Sequence, residues 1–426
     1  MPRFVTLDFE EPKKLSAQIK VVGVGGGGCN AIDSMIKRGL SGVEYVAVNT
    51  DAQVLECSLA MHKVQVGTNV TRGLGAGADP NVGKKAIEED RDKLTHILEG
   101  SDMVFVTAGM GGGTGTGGAP IVASIAKSLG ALVIGIVTKP FAWEGKQRMK
   151  NAEEGIKELK QYVDSLIVIP NGRILSILDN STAARAAFDK PNEVLYEATR
   201  GIADIITITG IINVDFADVR TVMKESGQAL MGCGIASGEN RAIEAAQKAI
   251  SSPLLEGISI KGAKNILLNV SGSSNMTMQE IEEGNKVIYE AAGEEANIIF
   301  GLVNKEEMAE YISYTVIATG FGSEVTSNTI SNIKKEKEEK VKEKKTVAVG
   351  GFSKGKIEVD QNADLTVPTI LRYKPKGSDP ELFSEDSIFQ SGFKSEKNYY
   401  SEEEENYPKS KFDEEDSSSF LRKIMD

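Results

Sequence analysis

Five short apolar runs recur over the first 170 residues: IKVVGV, VEYVAVNT, DMVFVTA, ALVIGIVT and DSLIVIP. Between them lie longer stretches, such as NAIDSMIKRG, DPNVGKKAIEEDRDKLTHILEG and KQRMKNAEEGIKELKQYV, in which apolar positions return at helical spacing. Runs apolar on both faces and alternating with helices predict a parallel sheet covered on both sides. The first run stops at glycines and passes straight into a helical pattern, so strand, glycine turn and helix follow one another. Asp79-Pro80 marks a helix start, because Asp can cap orphan amides and Pro suits the first helical position. Near 186–208, Val194, Leu195, Ala198, Ile202 and Ile205 fall at helical spacing, which predicts a long helix leading to a second block of strands and helices from about 219 to 321. From residue 323 the character changes. KKEKEEKVKEKK at 334–345 and SEEEE at 401–405 leave too little apolar surface to offset chain entropy, so 323–426 is expected to be mostly disordered.

A chain of 426 residues accommodates two domains and a tail. Its net charge of −12 argues against a nucleic-acid partner, whose phosphates would need Lys and Arg, so any bound phosphate must be held mainly by backbone. Cys29, Cys57 and Cys233 lack the spacing of a disulfide framework or zinc site and are expected to be reduced thiols. The acidic start, MPRFVTLDFEEPKK, is unlike a signal peptide, and no later run reaches ~18 apolar residues, so a soluble cytoplasmic protein without direct membrane insertion is expected. With only His62 and His96, a histidine triad or multi-histidine metal site has little to be built from, and no metal ligand is assigned.

Gly23, Gly25 and Gly28 fit G-x-G-x-x-G between a strand and a helix, and Asp51 lies where a ribose-binding acid would sit in a dinucleotide fold. A nicotinamide-dependent oxidoreductase is therefore one reading. The run Gly25 to Asn30 is denser than that fingerprint needs and lets several amides face one anion. A second run, Gly111 to Gly117, also follows a strand and precedes a helix, and two such loops imply a polyphosphate gripped from two sides. Turn geometry alone explains one or two of these glycines, but not seven small residues with threonines interleaved. No G-x-x-x-x-G-K-[ST] occurs; the nearest approach, Gly350 to Lys356, ends in Ile357.

GGGTGTG at 111–117 resembles the signature of the tubulin/FtsZ superfamily. VGVGGGGCNAI, AVNTDAQ, GLGAGADP, TKPFAWEGKQR and NVDFADV follow its bacterial cell-division branch in the same order, from about 19 to 322. The resemblance implies an α/β fold with an N-terminal Rossmann-like parallel-sheet GTPase domain, a long central helix, a C-terminal α/β domain and a disordered tail. The corresponding boundaries are a flexible segment over 1–18, a GTP-binding domain over 19–185, a connecting helix over 186–210 and a C-terminal domain over 211–322. A linker over 323–363, a partner-binding peptide over 364–373 and an acidic tail over 374–426 complete the chain. GTP, GDP and Mg2+ are the implied substrate, product and ion. By the same resemblance Gly26, Gly27, Gly28, Cys29 and Asn30, with Gly112, Gly113, Thr114, Gly115 and Thr116, hold the phosphates, and Gly75, Ala76 and Gly77 lie near the γ-phosphate. Glu144 and Arg148 contact the ribose and phosphate end, Asn171 supports the sugar, Phe188 stacks on guanine and Asn192 reads its edge. Pro191, one residue before that reader, departs from the alanines more usual in the family.

Asn213, Asp215 and Asp218 form an acidic loop at a helix start, where carboxylates commonly serve as caps and macrodipole partners. In the family this segment lies away from its own nucleotide and completes the site of the next subunit, so Asp215 and Asp218 are expected to polarise the attacking water in a head-to-tail filament. Phosphoryl transfer needs positioning and charge stabilisation more than covalent help. A scaffold that polymerises without hydrolysis is the alternative if both acids are only caps. In the tail, VPTILR resembles the peptide that docks on membrane-tethering division proteins of FtsA type, with Val367, Pro368, Ile370, Leu371 and Arg372 as its contacts. SFLRKIMD at 419–426 is its competitor. The expected location is the mid-cell division ring.

Overall fold

The structure is a computed structural model that describes residues 17–321 apart from 176–177, 180, 209 and 256–259. The expected disordered tail and both candidate docking peptides lie outside the described residues, as do residues 1–16.

The first half alternates strand and helix in the order β1 (Ile19–Val24), α1 (Gly25–Lys37), β2 (Glu44–Asn49), α2 (Ala52–Cys57), β3 (His62–Gln65), α3 (Thr68–Thr71), α4 (Pro80–Glu89), α5 (Arg91–Leu98), β4 (Met103–Gly109), α6 (Thr114–Ser128), β5 (Leu132–Lys139), α7 (Lys146–Leu159), β6 (Ser165–Pro170) and α8 (Asn171–Leu175). The long helix α9 (Ala184–Thr207) follows. Then come α10 (Phe216–Met223), β7 (Gly227–Ala236), α11 (Arg241–Ile250), β8 (Asn265–Gly272), α12 (Met278–Ala292), β9 (Asn297–Asn304) and β10 (Ile312–Thr319). None of the described helices is long and apolar enough to cross a membrane.

The apolar runs become strands because both of their faces are covered. Neighbouring Val21 and Val22 of β1 feed different cores, one on the side of α1 and α9, the other on the side of α5 and α6. The stretch from Pro80 to Leu98, helical throughout in pattern, is divided at Asp90, whose carboxylate turns inward to accept from the Gly67 amide at 2.8 Å. At its start Asp79 does cap α4, accepting from Asn81 N.

The strands form one sheet in the order β3-β2-β1-β4-β5-β6-β7-β10-β8-β9. Pairing is parallel from β3 through β7, and β10 runs antiparallel to both β7 and β8. Continuity between the halves rests on a short parallel match of Ser165, Leu166 and Ile167 with Gly227, Gln228 and Ala229. Helix α9 adds a second bond between them: buried Asp204 accepts from Lys305 at 2.5 Å and Arg200 at 3.2 Å. A buried carboxylate persists only when so paired.

Helices α4 and α6 approach to backbone contact. A Cβ on Gly117 would collide with the Pro80 carbonyl, and one on Gly83 with the Gly113 carbonyl. We expect Gly117→Ala to cost about 1–3 kcal/mol of stability by overpacking. Gly172→Ala, where a Cβ meets nothing and φ is ordinary, should leave the melting temperature unchanged. Thermal denaturation of the two variants checks this difference.

Candidate functional site

A cavity of about 1000 Å³ opens at the carboxyl ends of β1, β2, β4, β5 and β6. In an open α/β sheet this is where ligands bind, at the point where chain order reverses, here between β1 and its two neighbours β2 and β4. The wall is assembled from the turns after those strands and from one face of α9.

The glycines of the two turns divide into two kinds. A Cβ on Gly25 would approach Gly115 N to 2.8 Å, one on Gly27 would approach Gly109 Cα to 3.0 Å, and one on Gly113 would approach Gly77 O to 2.7 Å. These positions are glycine so that the two turns can touch each other and the 75–77 loop. Gly26 and Gly112 line the cavity, have ordinary φ, and a Cβ on either would meet nothing within 4 Å. Protein packing does not require glycine there; a ligand lying against the backbone does. The same turns open α1 and α6, neither of which has a side-chain cap, so their first amides remain for an anion.

The cavity wall includes Gly26, Gly27, Asn30, Gly75, Ala76, Gly77, Gly112, Gly113, Thr114, Gly115, Glu144, Arg148, Asn171, Phe188 and Asn192. Gly28, Cys29 and Thr116, expected to hold phosphate, do not line it. Gly28 packs against the Thr107 carbonyl, where a Cβ would come within 2.6 Å. Burial pushes the Cys29 thiol up to about 12, and its Sγ lies 3.9 Å from the Gly23 carbonyl. Thr116 Oγ1 accepts from Gly111 N at 2.8 Å. These three support the turns from behind.

Asn49, Asp33, Thr138, Arg185 and Asp189 also line the cavity and were not singled out from the sequence. Asn49 is the clearest omission. Its Oδ1 accepts from Thr50 N and Asp51 N, while Nδ2 is buried without a partner. Its position at the end of an apolar strand beside the glycine turn was the available signal. Asp51 caps α2, accepting from Gln53 N and Val54 N, which commits its Oδ1 to the backbone rather than to a ribose.

At the opposite end the wall is aromatic. Phe141 and Trp143 stack with centroids 5.4 Å apart, and Phe188 meets them edge-on at 5.6 and 6.0 Å. Glu144 joins this cluster to the cavity by accepting from Phe141 N at 2.8 Å and Arg148 at 2.6 Å. Phe188 is still 53% exposed, leaving ring surface for a planar ligand. Pro191 does not break α9, which runs unbroken from Ala184, so Arg185, Phe188, Asp189, Asn192 and Leu195 share one face toward the cavity.

The acidic loop lies elsewhere. Asn213 Oδ1 accepts from Gly210 N at 2.6 Å, Asp215 caps α10 by accepting from Ala217 N, and Asp218 sits in its first turn. None of the three lines the cavity. The loop follows the far end of α9, and the fifteen helical steps from Asn192 to Thr207 span about 22 Å. The described residues contain no group of three or more His, Cys, Asp or Glu side chains able to hold a metal ion.

We expect Gly26→Ala and Gly112→Ala to fold normally yet lose at least about tenfold in affinity for a polyphosphate nucleotide, because each methyl enters ligand space. Unchanged melting with weakened binding by calorimetry is the outcome to look for.

A family profile described as the Tubulin/FtsZ family GTPase domain matches residues 18–179, and one described as the FtsZ family C-terminal domain matches residues 227–322. Among solved structures, an empty FtsZ dimer from M. jannaschii is 43% identical with a TM-score of 0.69, over 72% of this chain and 89% of that one. CetZ2 from Haloferax volcanii, solved as a GTPγS-bound protofilament, is 19% identical with a TM-score of 0.63, over 75% and 99% of the two chains, and shares the fold. The FtsZ relative is archaeal, so it supports the family and not the bacterial branch that the flanking motifs resemble.

Proposed function

The chain belongs to the FtsZ branch of the tubulin/FtsZ family, GTP-binding GTPases of cell division, and from that premise we propose that it hydrolyses GTP only at contacts between successive subunits of a head-to-tail filament. The observation that carries the proposal is the separation of the two half-sites. The glycine turns bind polyphosphate at one end of α9, and an acidic loop suited to orient water follows its other end. One chain cannot bring Asp215 and Asp218 to its own nucleotide, whereas a second copy can.

In this reading Gly26, Gly27, Asn30, Gly112, Gly113, Thr114 and Gly115 hold the phosphates, with Gly75, Ala76 and Gly77 at the terminal one. Glu144, Arg148 and Asn171 orient the sugar, and Phe188 with Asn192 engages the base. The wall fits Mg2+ as a phosphate-borne ion, since no clustered ligand set exists among the described residues and Mg2+ retains water while taking one or two carboxylates and substrate phosphates. Asp51, bridged to Leu74 beside the 75–77 loop, is the carboxylate on that side. Bound there, Mg2+ would offset the charge of the incoming acids. The filament would act in the cytoplasm at the mid-cell ring, tethered through Val367, Pro368, Ile370, Leu371 and Arg372 or through 419–426 to a membrane-bound partner of FtsA type.

Asp215 favours a second reading, a filament scaffold without hydrolysis, because its carboxylate is already engaged as a cap. Asp218 separates the two. Removing the Asp215 cap should itself cost about 0.5–2 kcal/mol, so Asp218→Ala is the cleaner variant. We expect wild-type turnover per subunit to rise steeply above a threshold protein concentration. Asp218→Ala should bind GTP and form long-lived filaments with hydrolysis reduced by about a hundredfold or more. Phosphate release measured against concentration, with sedimentation of polymer, checks both; turnover independent of concentration would refute the shared site. For the tether, Ile370→Ser with Leu371→Ser should abolish partner pull-down if VPTILR is the docking peptide, and leave it intact if 419–426 is.

A further inference from the structure

Arg220 stands on α10, two residues beyond Asp218, and does not line the cavity. Its Nη2 donates at 2.8 Å to the carbonyl of Gly130, which lies 90 residues earlier in the chain. Gly130 terminates α6: it has a φ of +84°, its amide bonds Lys127 O, and the following amide of Ala131 bonds Ala126 O, as in a helix closed by a left-handed residue. A cation is favourable at that carbonyl, because the negative end of the α6 dipole lies there. The other end of α6 opens at the cavity with Gly113, Thr114 and Gly115. The guanidinium also lies over the Phe216 ring, 5.9 Å from its centroid and one helical turn back. Other ties of this segment run to the second half of the fold, from Ile211 N and Ile212 N to Leu302 O and from Thr319 Oγ1 to Val222 O.

Viewed down α10, Val219, Val222 and Met223 form the buried face, and Asp218 and Arg220 flank it on opposite sides, since two residues turn a helix by about 200°. Apolar contact holds a helix against its neighbours but is non-directional, so it sets the roll of α10 about its own axis only loosely. A charge-assisted hydrogen bond is directional and fixes that roll. Asp218 depends on it, because its carboxylate is exposed and no hydrogen bond or ion pair among the described residues holds it. A roll of ~10° moves a carboxylate ~6 Å from the axis by ~1 Å, and a misplacement of ~1 Å can cost about a hundredfold in rate. We propose that Arg220 is a positioning residue: by clamping α10 to the end of α6 it sets the direction in which Asp218 is presented to the nucleotide of a neighbouring copy. The assignment rests on the shared-site reading. It makes α6, whose first turn walls one cavity, the strut for hydrolysis in the next.

Arg220→Ala, Arg220→Lys and the double variant Asp218→Ala with Arg220→Ala test this in the full chain, through GTP affinity, sedimented polymer and phosphate release per sedimented subunit. The Arg220 bond is exposed and outside the cavity, so Arg220→Ala should bind GTP and sediment as the wild type does and melt within about 2 °C of it. Its turnover per sedimented subunit at saturating GTP should fall at least about tenfold, with KM unchanged. Arg220→Lys keeps a cationic donor for the single carbonyl and should recover to within about threefold of the wild type. Because Arg220 acts only through Asp218, the double variant should hydrolyse no more slowly than Asp218→Ala alone. Additive losses in the double variant, or loss of polymer or of GTP binding in Arg220→Ala, would make Arg220 a folding or interface residue and overturn the assignment. Turnover of Arg220→Ala within about twofold of a wild type that shows the concentration threshold would overturn the assignment alone. A wild type without that threshold would overturn the shared-site reading and the assignment with it.

Discussion

Backbone-to-backbone contact between the turns after β1 and β4 is the constraint on which the rest of this molecule depends. Gly25 lies against Gly115, Gly27 against Gly109, and Gly113 against Gly77, at separations that no Cβ would fit without displacement. Because the turns touch, the uncapped starts of α1 and α6 converge on one cavity. A polyphosphate bound there would be surrounded by amides, an arrangement that suits a chain of net charge −12. Thr50 and Thr114, with hydroxyl oxygens 2.7 Å apart, tie the end of β2 into the same junction.

Helix α9 converts that local arrangement into a property of an assembly. Its first half walls the cavity and its last turn leads to the acidic loop. The loop is fixed to the second half of the fold, since Ile211 N and Ile212 N both donate to Leu302 O in β9. Asp204, joined to Arg200 and to Lys305 just beyond β9, holds the helix against the same strand. The neighbouring Glu197 carboxyl is pushed above its ordinary range by burial. In the proposed shared site the helix is a spacer of fixed length between two half-sites, and catalysis would follow from how copies stack rather than from motion within one copy.

The base end of the cavity is built on different physics. The glycine turns present backbone to the cavity, whereas its opposite end presents the rings of Phe141 and Phe188, packed with Trp143, and the polar side chain of Asn192. Phe188 holds its place through Phe141 and Trp143 although α9 has no side-chain cap at Ala183.

The sequence by itself determined the alternation of buried strands and helices, the two glycine turns and the length of the central helix. Each is a local matter: apolar periodicity, the absence of Cβ in consecutive residues, and Asp79-Pro80 as a start signal. It also carried the family through GGGTGTG and its companions. Tertiary structure alone decided which glycines face a ligand and which face each other, because Gly26 and Gly28 are identical in sequence terms and differ only in whether Thr107 or open cavity lies opposite. It decided that Asp90 would leave its helix to reach Gly67, and that Cys29 and Thr116 would stand behind the wall. It also joined the two halves into one sheet through three residues of β6 and β7, a pairing of partners 62 residues apart that no local pattern encodes. Long-range contact is set by what the rest of the chain brings into register, and a one-dimensional pattern specifies only what can be buried, not against what.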